Sequence, residues 1–414
     1  MDNKNYTKAK SAAKRAMKRN PKAVIIAIVA VVLIAVIAFL VLRFAFPDIW
    51  NGDLSNPDSG QSTPNTPTTP ITPDKPSTPT TPDTIVDSSL QLPESGLTFA
   101  EGDLSVHMVN VGQGDCILIL FPDGKEMLID CANYNNTTSI RNSAFAYLDM
   151  YVTNNQIDYV MLTHCDSDHV YFLDEVLDKY QVDNVYMPNV LAAPTSAKWQ
   201  NEIAALDDEL VAMFTDKDTV DSACYAEFFC AALTEPNCNV VLNVDPDENK
   251  NSIIIEGEGY KLTFYCPTQE YYDTTNLNSA EKKNAISPIG VLEYNGFRLV
   301  VTGDSNEINE PIFVRRIGGS LDCDVLKVGH HGSETSSTPA FLDAITCEYA
   351  FISCNAAGNK FNHPRQTTLD RFIARDMAIY RTDNNGSIVF VFNTEITVYV
   401  ETRVEQETNR QGLV

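Results

Sequence analysis

Four of the six histidines in this 414-residue chain fall into two short clusters, and each cluster directly follows an apolar stretch of strand character. The first is Thr163-His164-Cys165-Asp166-Ser167-Asp168-His169, after Tyr159–Leu162. The second is Leu326-Lys327-Val328-Gly329-His330-His331-Gly332-Ser333. Imidazole and carboxylate groups at this density make a cage for a divalent cation. A polar loop that only capped a helix would need one acid, not four such groups. A third element, Val301-Thr302-Gly303-Asp304, brings an acid beside a glycine at the end of the strand pattern Phe297–Val301. TGD alone makes an ordinary turn. All three elements sit at strand ends, however, so a fold that aligns those ends along one edge would gather them around one site.

The body that carries these clusters runs from about Gly96 to Glu401 and alternates strand and helix patterns. Leu104–Val111, Asp115–Phe121 and Glu126–Cys131 read as strands joined by the turns Gly112-Gln113-Gly114 and Pro122-Asp123-Gly124. Helical spacing marks Ile140–Thr153, Phe172–Tyr180 and 306–316. A further helical stretch, 196–235, carries Trp199, Ile203, Leu206, Leu210 and Phe214 at threes and fours. Strands recur at Asn184–Met187, 252–256, 260–266, 290–294, 297–302 and 324–328, and a hairpin around Asn393–Glu395 closes the chain. Two β-rich halves, each with helices, predict an α/β domain of two sheets packed face to face and flanked by helices. Segment 188–250 carries no readable motif.

Ahead of the body lie two unlike segments. Ala23–Leu42 is a run of twenty residues without a charge, long enough at about 1.5 Å per residue to cross a bilayer core. Eight Lys/Arg precede it, which predicts a cytoplasmic N-terminus and an extracytoplasmic body. No small-x-small site follows, so the run reads as an uncleaved single transmembrane signal anchor. Pro64, Pro67, Pro70, Pro73, Pro76, Pro79 and Pro82 then recur every third residue among threonines, the composition of a polyproline II spacer with nothing to bury. The expected organisation is a basic tail over 1–22, the anchor over 23–42, a Pro/Thr-rich linker over 43–95, the domain over 96–402 and a tail over 403–414.

Charge narrows the partners. Residues 1–50 carry nine Lys/Arg against two acids, which leaves the remaining 364 residues with 21 bases, 53 acids and a net charge of −32. So acidic a body repels long polyanions, and extended nucleic-acid contact is not expected. The ten cysteines include no CxxC pair, which argues against a zinc ribbon. Cys116, Cys131 and Cys266 fit apolar strand patterns as small core residues, and Cys224, Cys230 and Cys238 are the candidates for disulfides after export. His107 alternates with apolar residues and reads as a satisfied core histidine.

The ordered motifs HxDxDH, TGD and LKVGHHGS resemble those of the metallo-β-lactamase superfamily, in particular its ComEC-type competence branch. Val106–Cys116, with VGQGD, is similar to the opening strand and turn of that branch. Asn284-Ala285-Ile286-Ser287 is similar to its NxxS element, and Asn362-His363-Pro364 and Tyr380–Gly386 to its closing segments. The resemblance implies an αββα four-layer sandwich. It places His164 and Asp166 on one ion, Asp168 and His169 on a second, Asp304 between them, and His330 or His331 on the second. Superfamily members usually carry another histidine between the first motif and the bridging acid. None lies between 169 and 304 here, so His363 or the spare histidine of the pair is left to compensate.

Zinc is the expected metal, as one or two ions, with manganese or iron tolerated. Such an ion would activate water, Asp168 and His169 would act catalytically, and Lys327, Ser333 and His363 are expected either at the substrate or behind the ligands. The reading that follows is a membrane-anchored, extracytoplasmic metal-dependent hydrolase of a phosphodiester. Competence-type domains are regarded as nuclease-like and related surface domains cleave choline phosphate, whereas lactam hydrolysis is disfavoured by the departure from HxHxDH. A different class of reading is a non-catalytic binding module displayed at the surface on a metallo-hydrolase core.

Overall fold

The computed structural model describes residues 89–192, 219–220, 222–243, 252–268, 271–272, 277, 279–355 and 360–412. The Ala23–Leu42 run, the proline repeat and most of the helical pattern from 196 lie outside these residues. No helix among the described residues is long and apolar enough to cross a membrane.

Among the described residues two large sheets form. In chain order the strands of the first are β1 (Leu90–Gln91), β2 (Leu104–Met108), β3 (Cys116–Leu120), β4 (Glu126–Cys131), β5 (Gln156–Met161) and β6 (Gln181–Met187). After the small pair β7 (Leu191–Ala192) and β8 (Thr219–Val220) comes β9 (Asn239–Leu242), which returns to the first sheet. The second sheet is built from β10 (Ser252–Gly257), β11 (Tyr260–Cys266), β12 (Ile289–Tyr294), β13 (Phe297–Val301), β14 (Val325–Lys327), β15 (Tyr349–Ile352) and β16 (Ala378–Arg381). The closing hairpin, β17 (Ile388–Phe392) and β18 (Ile396–Val400), rejoins the first sheet, whose order is β1-β18-β17-β2-β3-β4-β5-β6-β9. The second sheet runs in sequence order from β10 to β16.

Period-2 alternation of apolar residues on both strand faces explains why each sheet is covered on both sides. Ile117 and Ile119 of β3 enter the core between the sheets, whereas Cys116 and Leu118 enter the outer core. In β13, Leu299 and Val301 face inward and Val300 outward; in β14, Val325 faces inward and Leu326 outward. Helices α1 (Thr138–Tyr151), α2 (Leu173–Lys179) and α3 (Ala223–Thr234) cover the outer face of the first sheet with residues such as Leu148, Val176 and Phe228. Helices α4 (Glu310–Arg316), α5 (Pro339–Ile345) and α6 (Gln366–Ile373) cover the second with Phe313, Phe341 and Phe372. The result is the expected αββα sandwich.

The folded unit extends past both expected boundaries. Leu90–Gln91 adds a parallel strand to β18, so the domain begins before 96. At the other end the short helix Gln406–Asn409 is bound to β16: Gln406 Oε1 accepts from the Ile379 amide at 2.9 Å, and Asn409 Nδ2 donates to the Ile379 carbonyl at 2.8 Å. Those polar residues gave no apolar pattern, and their partners lie about thirty positions away. No disulfide joins cysteines among the described residues. Cys224 and Cys230 are buried on α3 rather than joined.

The strands next to the site run parallel: β4, β5 and β6 in one sheet, and β13 to β16 in the other. Their carboxyl ends therefore open at a common edge, the position where α/β sheets bind ligands.

Candidate metal centre

Each sequence cluster emerges from one of these carboxyl ends. His164 follows β5, Asp304 follows β13 and the His330-His331 pair follows β14. The approach is close. A Cβ on Gly303 would lie 2.9 Å from the Thr163 side chain and 2.9 Å from Ser287, and Gly303 has φ of +50°, so glycine is required there. Asp304 is fixed by its own amide, which donates to Ser287 Oγ at 3.1 Å. His330 and His331 both take left-handed φ, 49° and 53°. This strained turn points two adjacent imidazoles in different directions.

The imidazoles and carboxylates converge. His169 Nε2 is 3.2 Å from Asp304 Oδ1, and His331 Nε2 is 3.7 Å from the same atom and 3.5 Å from Asp168 Oδ2. On the other side, His164 Nε2 and His330 Nε2 each lie 3.9 Å from Asp304 Oδ2, and His164 Nε2 is 3.9 Å from Asp166 Oδ2. Three overlapping triads result, His164–His169–Asp304, Asp168–His169–His331 and, on the Nδ1 side of His169, Asp115–Asp130–His169.

The hydrogen bonds behind the rings decide what lies in front of them. His169 Nδ1 donates to Asp130 Oδ2 at 2.7 Å, and His331 Nδ1 donates to the Ser353 carbonyl at 2.9 Å. Their Nε2 lone pairs then face carboxylate oxygens, an acceptor against an acceptor. Nε2 of His164, His169 and His331 and Oδ1 of Asp304 are all buried without a hydrogen-bond partner. Such an arrangement is repulsive unless a cation or protons lie between. Ligands at about 2.1 Å from a tetrahedral ion stand about 3.4 Å apart, which matches these spacings. The residues present fit a divalent metal, with a nitrogen and oxygen donor set that does not select its identity.

The electrostatics agree. Burial opposes a charged His169, but Asp304 and Asp130 outweigh it and hold its pKa well above the ordinary value. At His331 burial is likewise overcome, by the nearby carboxylates of Asp304 and Asp168. Burial alone would raise Asp304, yet His169, His331 and His330 carry it well below the usual range. Burial would raise Asp168, yet it falls to about 2, because the neighbouring His331 and His169 imidazoles outweigh that penalty. His164 and His330 move down, chiefly through burial.

A cavity of about 390 Å³ opens onto the cluster, lined by Asp166, Asp168, Lys283, Asn284, His330 and His363 among others. Ser222 and Cys224 from segment 188–250 line it too. A larger cavity of about 890 Å³ lies elsewhere, at Val109, Ser139, Arg381 and Glu401. It contains none of the clustered histidines, and chemistry rather than volume identifies the site.

All seven expected ligands, His164, Asp166, Asp168, His169, Asp304, His330 and His331, are therefore brought together. His363 joins them at the cavity wall, its ring 5.1 Å from that of His330. Lys327 and Ser333 do not face the cavity. Lys327 is fully buried beneath the cluster, where it pairs with Asp115 and donates to the Gly303 carbonyl at 2.9 Å. Ser333 Oγ contacts Thr335 Oγ1 at 3.1 Å. Of the two expected places, Lys327 takes the one behind the ligands and not the one at the substrate, because the chain turns at Gly329 and sends its polar flanks inward. His107 is a core residue bonded to Ser105 and Tyr147.

Three supporting residues were missed. Asp115 anchors Lys327, Asp130 holds His169 and also accepts from Thr163, and Lys283 Nζ lies 2.7 Å from Asp166 Oδ1. Asp130 had a readable signal, since an acid closing the apolar run Met127-Leu128-Ile129 must be satisfied inside the fold.

This site and sandwich define a metallo-β-lactamase-type α/β domain, and residues 109–242 match the metallo-beta-lactamase superfamily. The chain is similar to competence proteins in particular. It is 35% identical over 141 residues to competence protein ComA of Neisseria gonorrhoeae, covering 32% of this chain and 20% of that protein. It is 24% identical over 312 residues to ComE operon protein 3 of Bacillus subtilis, covering 72% of this chain and 34% of that protein. The chain thus spans between a fifth and about a third of the length of these relatives. Among solved structures it is similar to the metallo-beta-lactamase fold protein YhfI of Bacillus subtilis, with a TM-score of 0.40 and 12% identity, over 70% of this chain and all of that one.

Proposed function

We propose that the domain is a metal-dependent hydrolase of short phosphodiesters, held outside the cell membrane by Ala23–Leu42. The observation that carries the reading is the set of buried, unpartnered donors that face one another around Asp304. His164, His169, His331, Asp168 and Asp304 would hold the metal, with His330 and Asp166 at its outer side. A bound divalent ion acidifies a water molecule to a pKa near 7 and polarises the scissile oxygen. Asp168, ionised at neutral pH and on the cavity wall, accepts a hydrogen bond from the attacking water and orients it. Asp130 and the Ser353 carbonyl keep the His169 and His331 rings in one tautomer.

The phosphodiester reading is supported by the similarity to competence proteins and by Lys283, the one lysine or arginine lining the cavity among the described residues. The small cavity and the acidic body favour a short or local ester over a long nucleic acid. Metal content of the purified chain and hydrolysis of bis-p-nitrophenyl phosphate, each with and without Asp168→Ala, test the proposal. It predicts bound zinc, manganese or iron and a turnover that the substitution abolishes. Membrane fractionation tests the anchor: deletion of 23–42 releases the protein from the pellet.

One observation favours a second reading. Lys283 already neutralises Asp166, as it would in a binding module that keeps a cation without turning over substrate. Bound metal with no hydrolysis of any phosphodiester offered would select that reading.

A further inference from the structure

The metal centre rests on two carboxylates, and each is the chain neighbour of a cysteine. Asp115 precedes Cys116 at the start of β3, and Asp130 precedes Cys131 at the end of β4. The two cysteines are direct antiparallel partners in the ladder, both are fully buried, and their Sγ atoms lie 3.5 Å apart. Directly opposed antiparallel residues have Cα atoms about 4.5–5.5 Å apart, inside the range of about 4.4–6.8 Å that a disulfide spans. The Sγ atoms have about 1.5 Å left to close to reach the bonded distance of about 2.0 Å.

We propose that Cys116 and Cys131 are a disulfide site, and that the bond clamps the strand ends that carry Asp115 and Asp130 beneath the metal ligands. The clamped groups do defined work. Asp115 pairs with Lys327, its amide donates to the Asp168 carbonyl at 3.0 Å, and Asp130 holds the His169 ring. The Phe172 amide donates to the Cys131 carbonyl at 2.9 Å, so the HxDxDH turn is tied to this pair from both sides.

The chemistry is an exchange. Two Sγ–H bonds break and one Sγ–Sγ bond forms, while the two protons and two electrons pass to a small-molecule or protein disulfide that leaves as two thiols. The Cys131 contact and burial push the Cys116 thiol up, so it stays protonated in the folded state and exchanges slowly there. The bond therefore forms while the chain folds, in oxidising surroundings such as those proposed above for the domain.

The full chain is unfolded and reduced, then refolded in oxidised/reduced glutathione or in excess reductant. Thiols are alkylated in denaturant and the digest is mapped by mass spectrometry, which tests the pair wherever the cell keeps the domain. A Cys116–Cys131 linked peptide as the dominant form in the glutathione buffer is the expected result. Both residues alkylated, or joined to other cysteines, would overturn the proposal. The oxidised protein should melt roughly 5 °C above the reduced one, a difference that vanishes in Cys131→Ala. The clamp also predicts several-fold slower metal loss to a chelator when oxidised, and equal rates would overturn it. Should Cys131→Ala fail to fold, the mapping of the unsubstituted chain still decides.

Discussion

The two sides of the cluster share Asp304 and differ in what stands behind them. On one side, His169 and His331 are fixed through Nδ1 by Asp130 and the Ser353 carbonyl, and Asp115 and Lys327 are buried underneath. On the other side, among the described residues His164 Nδ1 has only Thr163 Oγ1 at 3.2 Å, Asp166 is partly exposed and taken up by Lys283, and His330 rests against the Asn284 amide at 3.2 Å. Groups that orient a ligand and raise its basicity strengthen its hold on a metal. The supported side should bind first and tightly, and the open side later and weakly. This asymmetry is the physical counterpart of the histidine missing between 169 and 304. His330, turned by its left-handed φ toward Asp304 Oδ2, stands on the side that lacks one.

Removal of the shared group should erase the difference. Asp304→Ala is expected to lose metal from both sides and to lower phosphodiester hydrolysis on the order of 10³-fold, as read by elemental analysis and initial rates. Asp130→Asn isolates the supported side. Its His169 loses a charged acceptor, and metal affinity there should fall roughly 10–100-fold in a calorimetric titration, with the weak step unmoved. Lys283→Ala isolates the open side. With Asp166 released, weak-step affinity should rise a few-fold, while KM for an anionic diester increases and kcat stays nearly constant.

The smallest effect concerns the two ends of one strand. β4 ends at Asp130 in the site and begins at Glu126, a buried carboxyl beside Asp158. Burial and the neighbouring Asp158 raise Glu126 to about 8. A carboxyl raised in the folded state contributes stability below its unfolded pKa, and that contribution is lost as pH climbs through 8. Melting between pH 5 and pH 9 should therefore show a loss at high pH of about 1 kcal/mol after solvent screening, and Glu126→Gln should flatten it.

The sequence showed the sandwich and the ligands for the same reason: both are written locally. Ile117 and Ile119 against Cys116 and Leu118 state two buried faces within four residues, and HxDxDH, TGD and GHHG each fall at a strand end. The supports were not legible, because their meaning lies in partners far along the chain. Lys327 does not show which of its expected places it takes until Asp115 is placed against it, and Asp130 is one acid in a strand until β5 brings His169 alongside. Adjacent His330 and His331 could not be told apart either. Only the left-handed turn, set by the approach of Gly303 and Ser353, assigns them to opposite sides. The domain ends were missed because strand β1 and the Gln406–Asn409 helix dock through main-chain and amide hydrogen bonds, which leave no apolar pattern.

Anomalous diffraction from crystals of the chain grown with zinc or manganese tests the central claim most directly. The account predicts a peak bounded by Asp168, His169, His331 and Asp304, stronger than any peak at His164 and Asp166. No peak there, or the stronger one at His164 and Asp166, would contradict it.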